Sequence, residues 1–163
     1  MGAGKEEWAR HEPAAMEADT LRLTEAFDTV RPLQMRMDSL SRAVGAAPFP
    51  AAAFDRNGVV RIASRALLRL AKRTEAEAAA GKINLLNHVT DENYAVFEAV
   101  RNVFFGEACA VMDLVRPLSL FARGDGAIAH DRYSRAVFCP VVGENSRIEC
   151  GVLKLYEECQ KKG

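Results

Sequence analysis

Four cysteines, Cys109, Cys139, Cys150 and Cys159, and three histidines, His11, His88 and His130, are the side chains of this sequence best suited to hold a metal or attack an electrophile. No two of the cysteines form a CxxC pair. Zinc and iron–sulfur sites usually need close ligand pairs, because one local turn must aim two thiolates at one ion. The four therefore read as reduced thiols packed in or beside strands, and a disulfide framework is not expected in a chain of 163 residues with no secretion signal. For acid–base chemistry the conspicuous carboxylate is Asp113, a lone acid in the apolar run AVMDLV. Period-two alternation puts it in line with Cys109, Val111 and Val115, which leaves its face open. No second titratable group is matched to it, so no catalytic constellation emerges and an enzyme is not expected. Arg61, Arg65, Arg69, Lys72 and Arg73 form a basic cluster, and residues 65, 69 and 72 share one helix face that could meet phosphate or an acidic partner. Without interleaved aromatics to stack on bases, the expectation is a solvated face.

Composition narrows the classes further. Lys plus Arg and Asp plus Glu both total 22, giving a formal net charge of +0 with 49% hydrophobic residues. That balance offers no general attraction for nucleic acid or anionic lipid. No apolar run approaches the roughly 18 residues that span a bilayer. The opening MGAGKEEWARHEP lacks the apolar core of a signal peptide, and Glu6 stands where a myristoylation signal favours Ser or Thr. A cytoplasmic protein acting neither on nucleic acid nor in a membrane is expected.

The elements that would position these groups fall into two parts. From about Glu12 to Val44, the residues Leu23, Ala26, Val30, Leu33, Met37, Leu40 and Val44 recur at alternating steps of three and four, and Met16 extends the series upstream. This spacing keeps one apolar stripe on a helix and matches a heptad seam. Pro32 interrupts it and predicts either a kink or a second helix with Pro32 in its first turn. The stripe can pack on its own domain or on a partner helix. The expectation is homodimerisation through Leu23, Val30, Leu33, Met37, Leu40 and Val44. GAAPFP, residues 45–50, ends this part, since glycine suits a C-terminal cap and the prolines prevent continuation.

The second part opens with AAAFDR and VVRIA around Asn57-Gly58, the pair suited to the positive φ angles of a two-residue hairpin turn. SRALLRLAKR is a short helix with Ser64 as N-cap, and TEAE over 74–77 matches a capping box. GKINLLNHV connects to a longer helix, DENYAVFEAVRNVFF, capped by Thr90 and burying Val96, Phe97, Val100, Val103 and Phe104. Three strand-like runs follow, ACAVMDLVRPL, HDRYSRAVFCPVV and RIECGVLKLYE, with GDG and GENS as turns. Two strands, several short helices, one longer helix and three strands make an α+β pattern on an antiparallel sheet. The boundaries expected are a helical extension over 1–45, a domain over 46–158 and a tail over 159–163.

In its FDRNGVV hairpin, the SRALLRLAKRTEAEAAAGK passage, LLNHVTDENYAVFEAVRNVFFGE and the closing RAVFCPVVGENSRIECGVLKLYE, the sequence resembles a PAS domain over about Phe49 to Glu157. Where many PAS domains carry Asn at the start of the first helix, this chain has Ser64, which caps equally well. The resemblance implies a five-stranded antiparallel sheet with short helices over one face. It also implies a sensory or protein-interaction role in signal transduction, often as a dimer through a preceding helix. A pocket between sheet and helices would be lined by Leu67, Leu70, Leu85, Phe97 and Val100, with Met112 and Phe138 from the strands and Arg132 or Tyr133 as polar contacts; such a lining favours a hydrophobic small molecule. No cofactor is required by the sequence. Haem is possible with His88 as first candidate ligand, and flavin is possible noncovalently, since GKINLLNHV lacks the reactive cysteine of blue-light flavin domains. The alternative is a ligand-free homodimeric scaffold. After Tyr156 only EECQKKG remains, so the output is expected from a separate signalling protein or from a longer chain.

Overall fold

The apolar stripe of the N-terminal part is divided among three elements. The computed structural model of the chain describes residues 17–123 and 131–158; Met16, His11, His130, the GDG turn and the tail over 159–163 lie outside the described residues. Helix α1 covers 17–29, β1 is Leu33–Gln34 and α2 is Met37–Ala46. Val30 takes a positive φ of 48° and ends α1. Pro32 sits in the connection rather than in the first turn of a second helix, so the series from Leu23 to Val44 is two helices joined by a strand.

The remaining elements follow the expected order. Strands β2 (Ala51–Phe54) and β3 (Val60–Ala63) enclose the FDRNGVV turn. Helices α3 (Arg65–Ala71) and α4 (Glu75–Ala79) and the 3-10 turns Leu85–His88 and Asp91–Asn93 lead into α5 (Tyr94–Val103). β4 (Cys109–Val111), a 3-10 helix over Pro117–Phe121, β5 (Tyr133–Val142) and β6 (Ile148–Glu157) complete it. The first hairpin turn is longer than two residues. Asp55 Oδ1 accepts from the Asn57 and Val59 N–H groups at 2.9 and 3.1 Å, and Gly58 alone of the Asn-Gly pair has positive φ, at 80°.

The described residues form a six-stranded sheet in the order β1-β5-β6-β2-β3, with β4 also paired to β5. The expected five-stranded antiparallel sheet is β2 to β6. The sixth strand, β1, is added parallel to the end of β5, Leu33 opposite Val141. The third-from-last run is a strand only to Val111. Asp113 and Arg116 take positive φ of 56° and 47°, which takes the chain out of the extended conformation, and Pro117, lacking an N–H, starts the 3-10 helix instead.

Because side chains alternate along a strand, β5 and β6 feed two cores. Ala136, Phe138, Leu153 and Leu155 join the inner core under α3, α4 and α5. Val137, Cys139, Val141, Cys150 and Val152 join an outer core with Leu23, Ala26, Phe27, Leu40 and Val44 of α1 and α2. Helices therefore cover both faces.

The short helices are held by polar clips read correctly in the sequence. Ser64 Oγ accepts from Leu67 and Ala51 N–H at 3.1 and 3.0 Å and donates to the Phe49 carbonyl at 2.8 Å. Thr74 and Glu77 form the capping box. Glu77 also pairs with Arg73 at 3.2 Å and accepts from Arg123 Nε at 3.0 Å. The basic cluster is thus not a uniformly free face, since Arg61 pairs with Asp55 at 3.0 Å and Arg65 with Glu75 at 3.3 Å. Arg123, with help from Thr74 and Arg73, holds the Glu77 carboxyl down from 4.5 to about 2. A carboxylate lowered on folding contributes stability above its unfolded value and loses it as pH falls through the folded one. Acid unfolding of Glu77→Gln is accordingly expected to show a shallower stability loss between pH 4.5 and about 2 than the parent; parallel curves would remove Glu77 as the cause.

Candidate functional site

The pocket expected between sheet and helices is occupied by the protein's own side chains. Leu67, Leu85, Val100 and Phe138 are buried there as read, and Leu70 and Tyr133 pack partly buried against them. The Phe54 ring stands edge-on to Phe138 and Phe104, with centroids 6.0 and 6.1 Å away. Phe121, Leu118 and Leu153 are also fully buried there. Asp131 fastens the 3-10 helix to the start of β5, accepting from Leu118 and Tyr133 N–H at 2.6 and 3.0 Å; burial raises its pKa despite these bonds.

Three of the expected lining residues point elsewhere. Arg132 is exposed. Met112 is 55% exposed because β4 ends one residue before it. Phe97 is 37% exposed because Val96, Ala99, Val100 and Val103 define the buried face of α5, and Phe97 lies about 100° round from Val96. Asp113 is also exposed, in the bend beyond β4, with no ion-pair partner among the described residues.

The interior that a flavin or haem would have to enter is filled by apolar side chains, Phe54, Phe121 and Phe138 among them, each fully buried. The buried polar side chains nearby are engaged, Asn93 Oδ1 accepting from Val115 N–H at 3.2 Å and Ser64 capping α3. His88 ends the 3-10 turn Leu85–His88, half-buried and off the long helix. Among the described residues no cluster of three or more His, Cys, Asp or Glu is placed to hold a metal, and no helix is long and apolar enough to cross a membrane.

One stretch of open space lies at the surface beside α5. A groove of about 290 Å³ there is lined by Leu86, Phe97, Val100, Phe104 and Phe105, together with Arg56 and Arg101. Phe105 is 76% exposed, and Tyr94, 53% exposed, stacks on Phe97 at 5.6 Å. Of these only Phe97 and Val100 figured in the expected pocket. The signal for the rest was present, since Tyr94, Phe97, Arg101, Phe104 and Phe105 fall within about 100° of one another on a helical wheel, a second apolar flank beside the buried one.

Most of the stripe expected as a dimer seam is covered within the chain. Leu23, Leu33, Leu40 and Val44 are buried against the chain's own sheet, and Val30 packs on that core half-buried. Met37 is exposed, with its Sδ 3.9 Å from Cys150 Sγ. The outer face of β2, β5 and β6 carries Ala51, Ala53, Val137, Val141 and Val152 and needs covering; α1 and α2 supply the cover, which leaves little of the seam for a second copy. Of the thiols, Cys139 and Cys150 are buried and their pKa values are pushed by burial to about 12, as expected of packed cysteines. Cys159 lies outside the described residues.

The sequence matches no protein-family model and no curated protein. Solved structures do resemble it. A variant of the RsLOV protein, d2, superposes with a TM-score of 0.53 at 17% identity, over 79% of this chain and 72% of that one. The Rhodobacter sphaeroides LOV protein gives 0.51 at 16% identity, over 76% and 66%. The phage VqmA–DPO complex gives 0.49 at 17%, and this chain spans 52% of it, about half its length. At such identities the likeness is one of fold: the chain has a PAS-like fold, shared with the light-oxygen-voltage domains.

Proposed function

We propose that the chain is a PAS-like regulatory module of signal transduction, acting through its contacts with other proteins and through the two N-terminal helices seated on the outer face of its sheet. The observation that carries this reading is the division of β5 and β6 between two cores, Phe138 and Leu153 facing inward while Val137, Cys139 and Val152 face α1 and α2. Close-packed side chains on one strand cannot move alone, so a change on the inner face is passed to the helices on the outer one. A second bridge supports it. Phe49 meets Phe27 of α1 edge-on at 6.1 Å, and Lys154 of β6 lies over Phe49 at 4.1 Å. The filled interior favours an interaction module over a receptor for a buried ligand.

Hydrogen exchange on a Leu153→Ala variant tests the transmission. Truncation at this inner-face position leaves a cavity behind, and faster exchange is expected across residues 17–29 as well as in α5. Loosening confined to α5, with 17–29 protected as before, would sink the proposed output. Homodimerisation, if this module uses it, then involves a surface other than the buried stripe, or an exchange of α1 between copies.

A further inference from the structure

We propose that the groove beside α5 docks a separate protein, and that it receives a short segment carrying a bulky apolar side chain flanked by carboxylates. This rests on the reading of the chain as an interaction module and names the chemistry of its partner. Every titratable group lining the groove is a cation, Arg56 and Arg101. The Arg56 guanidinium lies over the Phe104 ring at 5.2 Å, and neither arginine is ion-paired to a carboxylate among the described residues. Arginine lying over an aromatic ring keeps its charge and its outward donors, so it can accept a carboxylate without giving up that contact.

Beside the arginines, Phe97 and Phe105 expose apolar surface, and aromatic residues with arginine are the composition of interface anchor points. Tyr94, stacked on Phe97, carries the aromatic surface on towards the start of α5. That continuation suits an extended or helical segment better than a compact small molecule. A second copy of this chain fits poorly, because a two-fold contact pairs the same patch on both copies, and this patch holds two arginines with no carboxylate to meet them.

Selection of a random displayed peptide library on the full chain is the test, with enriched peptides resynthesised and measured by fluorescence anisotropy. Enriched sequences are expected to place Phe, Trp or Leu within about three residues of Glu or Asp. Their affinity is expected to fall at least about tenfold with Arg101→Glu, to fall with Phe105→Ala, to weaken as salt rises and to hold with Arg22→Glu on α1. Circular dichroism checks that each variant is folded. No enrichment, enrichment of basic or uncharged sequences, or binding that survives Arg101→Glu would overturn the proposal, as would a dimer of the parent chain that Phe105→Ala converts to monomer. Peptide binding that leaves exchange over residues 17–29 unchanged would leave the docking site standing and remove the transmission proposed above.

Discussion

Phe54→Ala is expected to lower the unfolding free energy by about 3–5 kcal/mol, the range for truncating a buried phenylalanine. Phe54 is fully buried in the second strand of the sheet, meets Phe138 and Phe104 edge-on, and pairs in register with Gly151 on β6. The glycine explains how the ring is accommodated. A Cβ at position 151 would stand 2.4 Å from Phe54 Cζ and 2.8 Å from Val103 Cγ1, so the ring fills the space a side chain would take. Two consequences separate this account from general core loss. Gly151→Ala should destabilise the parent by overpacking, about 1–3 kcal/mol, yet cost less in the Phe54→Ala background, where the ring is gone. Urea unfolding of the four chains in that cycle measures the coupling. Additive effects would mean that the ring and the glycine do not share that space.

Leu40→Asp should cost at least the roughly 2–5 kcal/mol of truncating a buried leucine, with desolvation of an unpaired carboxylate added to it. Leu40 is fully buried in the outer core. Its neighbour on the stripe, Met37, is exposed, and Met37→Asp is expected to stay within about 0.5 kcal/mol of the parent. The decisive readout is dependence on protein concentration. An interchain seam makes the loss concentration-dependent, whereas packing on the chain's own sheet makes it the same at every concentration. A loss at Leu40 that vanishes on concentrating the protein would restore the intermolecular seam.

Much of the fold was legible because its signals are local. Ser64 and the Thr74–Glu77 box cap the helices they were read to cap, and the apolar runs RAVFCPVV and GVLKLY produced the two longest strands. What was not legible depends on which surface an apolar face meets. The steps of three and four from Leu23 to Val44 describe a stripe but not its partner, and a sheet with two apolar faces competes for it successfully. Likewise the apolar run through Met112 and Val115 read as one long strand, because backbone reversals at Asp113 and Arg116 leave no mark in hydrophobic pattern. The site suffered most. A pocket inferred from helix faces assumes a void between the layers, and whether Phe54, Phe121 and Phe138 fill it is a matter of packing rather than pattern.

The docked N-terminal helices also govern the chemistry of the thiols beneath them. Cys139 Sγ donates to the Ala26 carbonyl of α1 at 3.5 Å, and Cys150 Sγ rests beside Met37 of α2. Sealed there, with pKa values near 12, both are almost wholly protonated at neutral pH and poor nucleophiles. A helix that lifts off the sheet returns them towards an ordinary thiol, of pKa about 8.5, and an alkylating reagent can then trap them. The rate at which these two cysteines are alkylated is therefore a clock for opening of the outer face, one for each helix, built into the protein without any added label.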